Sequence, residues 1–133
     1  FLGNTQLPYL PEIIAKRESN YKKIADGIFT NSDKYYSLRT GHLDTFSNFA
    51  VPIICKDVAT RDELVNKCSD TIEIRPVVGG DMTEQPFYKK YMSQYVDDMK
   101  DSNASLVHRQ GLYFGNNPEL TDMEIEAIID TFK

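Results

Sequence analysis

Prolines mark both of the early strand patterns in this chain, and each limits where its strand can sit in a sheet. Phe49-Ala50-Val51-Pro52-Ile53-Ile54-Cys55 reads as a buried strand. Pro52 has no N–H for a ladder, which assigns it to an edge position or a bulge. Thr71 to Ile74 alternates polar and apolar residues, as a half-buried strand does, and Pro76 ends or edges that strand. Gly79-Gly80 follows with the backbone freedom for a sharp turn, and Gln85-Pro86 opens a helical pattern. Arg75, Asp81, Thr83 and Gln85 are thereby gathered on a tight loop at a strand end, a place where scaffolds often hold binding groups. The same pattern also fits an ordinary strand-turn-helix joint.

Helical periodicity accounts for most of the remaining chain. Leu10, Ile13, Ile14, Tyr21, Ile24 and Ile28 recur at helical spacing, with Pro11 in the first turn and Gly27 near the end. An earlier start, near Pro8, would add Leu7 to the stripe. Residues 30 to 46 are polar and turn-rich, and Tyr35-Tyr36 within them could cover the core edge or face a ligand. Thr60-Arg61-Asp62-Glu63 has the form of a capping box, and its helix would present Leu64, Val65 and Cys68 to the core. Phe87, Tyr88, Tyr91 and Tyr95 form a helical stripe that reads as core packing. Residues 97 to 103 read as a solvated charged run or loop. Ala104 to Phe114 reads as a strand broken at Gly111, with His108 and Arg109 in its middle. Thr121-Asp122-Met123-Glu124 is a second capping box, ahead of Ile125, Ile128, Ile129 and Phe132. The expected fold class is α+β: a small, mostly antiparallel sheet of about three strands with helices on one face.

Composition narrows the function classes. The 133 residues allow one domain, and 41% hydrophobic residues fit a globular chain. No apolar run approaches the ~20 residues that span a bilayer. A formal net charge of -5 argues against general nucleic-acid binding. Cys55 and Cys68 match no metal spacing and read as reduced core thiols of a cytoplasmic protein. His108 has no second ligand at metal spacing, so no metal site is expected. Phe1-Leu2-Gly3-Asn4 has neither a basic leader nor an initiator methionine, which reads as a start inside a longer protein.

The ordered set of segments resembles the C-terminal part of the DegT/DnrJ/EryC1/StrS family of sugar aminotransferases. Phe1-Leu2-Gly3, Gln6-Leu7-Pro8-Tyr9-Leu10, Ile13-Ile14, Lys16-Arg17 and Asn20-Tyr21 are similar to the long helix leaving that family's cofactor domain. Asn48-Phe49-Ala50-Val51-Pro52-Ile53 resembles the first strand of its small domain. Ile74-Arg75-Pro76, Gly79-Gly80 and Gln85-Pro86 resemble its arginine-proline, glycine and glutamine-proline loop, in the version of the pyridoxamine-dependent 3-dehydratases. Val107-His108, Gly111-Leu112-Tyr113-Phe114-Gly115-Asn116 and Pro118-Glu119-Leu120-Thr121 resemble that branch's closing strand and final helix. Two positions depart from the pattern: Asp81 stands where the family has asparagine, and Glu84 where a basic residue is common. Both add negative charge to the loop.

The resemblance implies a C-terminal fragment of a longer enzyme, with residues 1–28 as an interdomain helix and 47–133 as an α+β small domain. That is the C-terminal domain of fold-type-I pyridoxal-phosphate enzymes. It implies a cytoplasmic, homodimeric parent that uses pyridoxal or pyridoxamine phosphate on a nucleotide-linked keto-deoxysugar, by aminotransfer or C3 dehydration. The family's usual setting is surface polysaccharide synthesis, lipopolysaccharide included. Catalytic and cofactor-holding groups are expected in the N-terminal cofactor domain. This piece alone is expected to bind no cofactor and to be inactive, while in the parent it closes the substrate cleft. Candidate substrate-binding residues are Arg75, Asp81, Thr83, Gln85, His108 and Tyr113. A free-standing α+β module with a non-enzymatic binding role remains the other reading.

Overall fold

The computed structural model describes residues 1–77, 80–95 and 102–133. Most of the charged run at 97–103, and Gly79 of the glycine pair, lie outside them. Three strands, β1 (Ala50–Ile54), β2 (Ile74–Pro76) and β3 (Gly111–Gly115), form an antiparallel sheet in the order β1-β3-β2. The last strand therefore lies between the two that carry proline. Cys55 N–H donates to the Gln110 carbonyl, and Asn116 N–H donates to that of Phe49. Odd-numbered residues of β1 thus turn their backbone groups toward β3, and Pro52 turns away from it. Val77 N–H donates to the Gly111 carbonyl, which likewise turns Pro76 away from β3. Both missing N–H groups fall on outer edges, where no ladder bond is lost and a further strand is discouraged. On the outer side of β1, among the described residues, the short segment around Tyr35 pairs, through Tyr36 N–H to the Ile54 carbonyl and Lys56 N–H to that of Lys34.

The N-terminal region folds as α1 (Leu2–Gln6), one 3-10 turn and α2 (Leu10–Ile28). The second half of the expected stripe is buried, through Tyr21, Ile24 and Ile28, whereas Leu10 stays exposed. Helix α3 (Val58–Cys68) buries Leu64 and Cys68 and packs Val65 beside them. Helix α6 (Asp122–Phe132) carries the capping box at Thr121 and Glu124, with both reciprocal bonds made. Its Ile125, Ile128 and Phe132 close over Val51, Ile53, Leu112 and Phe114 on one face of the sheet. The Phe114 and Phe132 rings lie 5.0 Å apart, an arrangement worth about 0.5–1.5 kcal/mol beyond burial alone. Cys55 and Cys68 are free thiols inside this core.

Four sequence expectations are corrected. Helix α3 is capped by Asp57, whose side chain accepts from Thr60 N–H; Thr60 and Glu63 do not form its capping box. The strand expected at Thr71–Ile74 is displaced to Ile74–Pro76, because Thr71 and Ile72 donate back to the Cys68 carbonyl as the turn leaving α3. Residues 103–110 are not strand but helix α5 (Asn103–Gln110), started by the Ser102 side chain accepting from Ser105 N–H. His108 and Arg109 therefore sit on a last helical turn. Phe87, Tyr88 and Tyr91 of the aromatic stripe do lie on a helix, α4 (Pro86–Tyr91), with Tyr95 beyond it in a separate 3-10 turn, but the stripe is not core: Phe87 is 53% exposed and Tyr91 68%. Phe87 and Tyr91 face solvent, and Tyr88 is half-buried.

Candidate functional site

Arg75 projects from the β2 edge and is paired across the sheet with Tyr113 of β3. Its Nε donates to Glu73 Oε1 at 2.9 Å, and Nη2 donates to the same oxygen. The Glu73 bond first, and the Tyr113 hydroxyl after it, raise the guanidinium pKa further, so the charge is permanent. Residues two apart in extended chain share a face, which places Glu73 beside Arg75. Phe49, 72% exposed, meets the Tyr113 ring edge-on at 6.5 Å. Arg75 and Tyr113 stand at the mouth of a groove of about 620 Å³ between the sheet end and α6. Ile72, Phe114, Leu120 and Ile128 line its apolar part. Its size and its apolar walls with few polar groups suit a ligand cleft.

A second group gathers where the loop after β2 meets α5. Asp81 is 1% exposed. Its Oδ1 accepts from Thr83 N–H at 2.9 Å and from Thr83 Oγ1–H at 2.6 Å, which starts the 3-10 turn Met82–Glu84. The Thr83 hydroxyl, then its N–H and the charges of His108 and Arg109, hold the Asp81 carboxyl below its ordinary range against the opposing effect of burial. Thr83 is buried with it. Glu84, the other added acid, is paired with Lys89 at 2.6 Å. Glu84 is thus paired with a lysine of α4, whereas Asp81 is hydrogen-bonded by Thr83 and feels the charges of His108 and Arg109 on α5. Gln85 takes the N-cap position of α4 with extended backbone and makes no side-chain cap bond, leaving its amide for other partners. His108 is exposed, with one ring edge against Gly80.

The six candidate residues therefore form two groups, Arg75 with Tyr113 on the sheet and Asp81, Thr83 and Gln85 on the loop that meets His108. Sequence reasoning missed Phe49 and Glu73 as neighbours of Arg75 and Tyr113. The two-residue spacing of Glu73 and Arg75 was a usable signal, whereas nothing local signals the approach of Phe49. Among the described residues no lysine is buried, and none of the His, Cys, Asp and Glu side chains gather as a metal site.

The sequence matches the family model of the DegT/DnrJ/EryC1/StrS aminotransferase family over residues 1–133. No curated protein sequence matches the chain. Among solved structures, the fold is similar to a GDP-4-keto-6-deoxymannose-3-dehydratase holding a trapped PLP-glutamate geminal diamine, at 27% identity and TM-score 0.75, over 98% of this chain and 34% of that one. The GDP-4-keto-6-deoxy-D-mannose-3-dehydratase of E. coli with bound hydrated PLP is 26% identical, with TM-score 0.71 over 98% and 33% of the two chains. An aminotransferase from Psychrobacter cryohalolentis shares the fold at 17% identity and TM-score 0.71, over 98% and 36%. The chain spans about a third of the length of these structures.

Proposed function

Because this chain belongs to the DegT/DnrJ/EryC1/StrS aminotransferase family, we propose that it is the small domain of a pyridoxal- or pyridoxamine-phosphate-dependent enzyme acting on a nucleotide-linked keto-deoxysugar. The observation that carries the reading is the family match across residues 1–133, together with the fold shared with the two 3-dehydratases. The cofactor, when bound in the parent, supplies an electron sink for bond changes at the sugar. The residues that would hold it would belong to a preceding cofactor domain. This domain's part is to close the substrate cleft. Arg75 offers a fixed cation with planar donors to the substrate's polar groups, and Tyr113 offers a hydroxyl beside it. Gln85 presents its amide from the loop, and Asp81 and Thr83 hold that loop in shape. The chain alone is inactive, and its parent is a cytoplasmic homodimer of surface-polysaccharide synthesis. No helix of the described residues is long and apolar enough to cross a membrane.

The test is the absorbance spectrum of the parent protein with pyridoxal phosphate, followed by borohydride and washing. Cofactor retained covalently means a reactive lysine and an aminotransferase. Cofactor that binds and then washes away means the dehydratase branch. Failure to bind at all overturns the enzyme reading and leaves a binding module.

A further inference from the structure

The loop that carries Gln85 meets α5 at Gly80. Gly80 has φ +41, and a Cβ built there would fall 2.9 Å from His108 Cγ and closer still to Nδ1. The imidazole therefore occupies the space that any side chain at position 80 would take. The next residue, Asp81, is buried and holds Thr83 through two hydrogen bonds. Thr83 and Gln85 follow within one 3-10 turn, where Gln85 N–H donates to the Met82 carbonyl at 3.1 Å. Displacing Gly80 would carry this whole unit with it, including Gln85 and the start of α4. The charge of His108 acts on the Asp81 carboxylate, yet among the described residues the side-chain hydrogen bonds to Asp81 come from Thr83. What His108 presents at Gly80 is the Nδ1–Cγ side of its ring and its Cβ.

Resting on the reading of this chain as a substrate-closing domain, we propose that His108 is a positioning residue: its ring packs on Gly80 and sets the placement of the loop Gly80–Gln85, without touching substrate. An aromatic ring of similar thickness would serve in its place, whereas a small side chain would not. Any residue larger than glycine at position 80 would be incompatible on two grounds, the ring and the left-handed backbone.

The experiment compares His108→Ala and His108→Phe with the native protein. Hydrogen exchange is read at the Thr83 and Gln85 amides of this chain, with the β3 amides as internal reference. His108 is exposed, so both variants are expected to fold. His108→Ala should accelerate exchange at Thr83 and Gln85 about tenfold or more with β3 unchanged, and His108→Phe should restore near-native exchange. In the parent enzyme, His108→Ala should raise KM with kcat little changed, and His108→Phe should restore KM. Native exchange in His108→Ala overturns the proposal. So does a KM defect in His108→Phe as large as in His108→Ala, because that outcome assigns the imidazole nitrogens to substrate. Failure of the enzyme reading would show separately, as a native parent that binds no cofactor, and the exchange comparison would still decide whether His108 places the loop.

Discussion

The Tyr35 hydroxyl donates to the Phe132 carbonyl oxygen at 2.8 Å across 97 residues of chain, joining the only segment that pairs outside β1, among the described residues, to the last turn of α6. Burial, with smaller contributions from Cys55, Cys68 and Glu63, pushes this hydroxyl from 10.0 to about 12. Burial, with Asp57 adding, pushes the Cys55 thiol from 9.0 to about 11. Both groups bind their protons more tightly folded than unfolded. Their contribution to stability is therefore whole below pH 9, and it falls as pH rises through 9 to 11 for Cys55 and 10 to 12 for Tyr35. Chemical denaturation across pH 8 to 12 should show stability declining with pH. Tyr35→Phe should flatten the upper part of that decline and cost about 1 kcal/mol at neutral pH through the lost hydrogen bond. A Tyr35→Phe protein with an unchanged alkaline slope would contradict this.

Gly27 sits where α2 crosses α6, and a Cβ there would lie 2.7 Å from Ile129 Cδ1 and 2.8 Å from Cγ2. Alanine normally favours a helix over glycine by about 1 kcal/mol. Here the crowding of a branched side chain outweighs that gain, and Gly27→Ala should destabilise by about 1–3 kcal/mol. Adding Ile129→Ala should give room to the new methyl. The double variant should then be more stable than the sum of the single effects, by about 1 kcal/mol or more in urea denaturation. Additive effects would mean that the helices separate freely.

The two helix starts make a paired prediction. Thr121→Ala removes the α6 capping box and should cost about 1 kcal/mol. At α3, Asp57 is the cap, and Thr60 supports it by donating Oγ1–H to Asp57 Oδ2 at 3.0 Å. Asp57→Ala should therefore destabilise more than Glu63→Ala, which would be the reverse if Thr60 were the cap. Hydrogen bonds from Thr60 to Asp57, and from Thr121 to Glu124, hold both carboxyls below their ordinary values. Their contribution is present above pH 4.5 and lost as pH falls through the lowered values. Thermal melts between pH 2 and 6 would show this acid loss reduced in each cap variant.

The readable parts of this fold were those decided by local chemistry. Pro52 signalled an edge position or a bulge, and Pro76 a strand end or edge, because a missing N–H is a property of one residue, and the capping box at Thr121 is complete within four residues. The misread parts turned on competition or on surroundings. Thr60 looks like a cap until Asp57, one turn earlier, accepts from its N–H. Leu106 and Val107 suggest strand, but the Ser102 cap begins a helix that Gly111 then ends. The period of Phe87, Tyr88 and Tyr91 was read correctly as helical, yet a period does not say what lies opposite it. In the site, Arg75 was legible as a cation at a strand end, whereas Phe49 is brought against Tyr113 only by the register of β1 on β3.

Arg75 yields the functional prediction that separates binding from folding. Its ion pair with Glu73 is solvent-exposed, with side chains 61% and 74% accessible, and such pairs add little to stability. Arg75→Ala should therefore leave the melting temperature of the chain near native. In the parent enzyme the same change should raise KM for the nucleotide sugar about tenfold or more, the scale of a lost hydrogen bond to a charged group. Arg75→Lys should recover little of this, because an ammonium keeps the charge but loses the planar pair of donors. Glu73→Gln frees the guanidinium from its present partner and should lower KM or leave it unchanged. Steady-state kinetics with saturating cofactor reads all three. An Arg75→Ala enzyme with native KM and kcat would remove this residue from the substrate cleft and leave the Glu73 pair as surface structure.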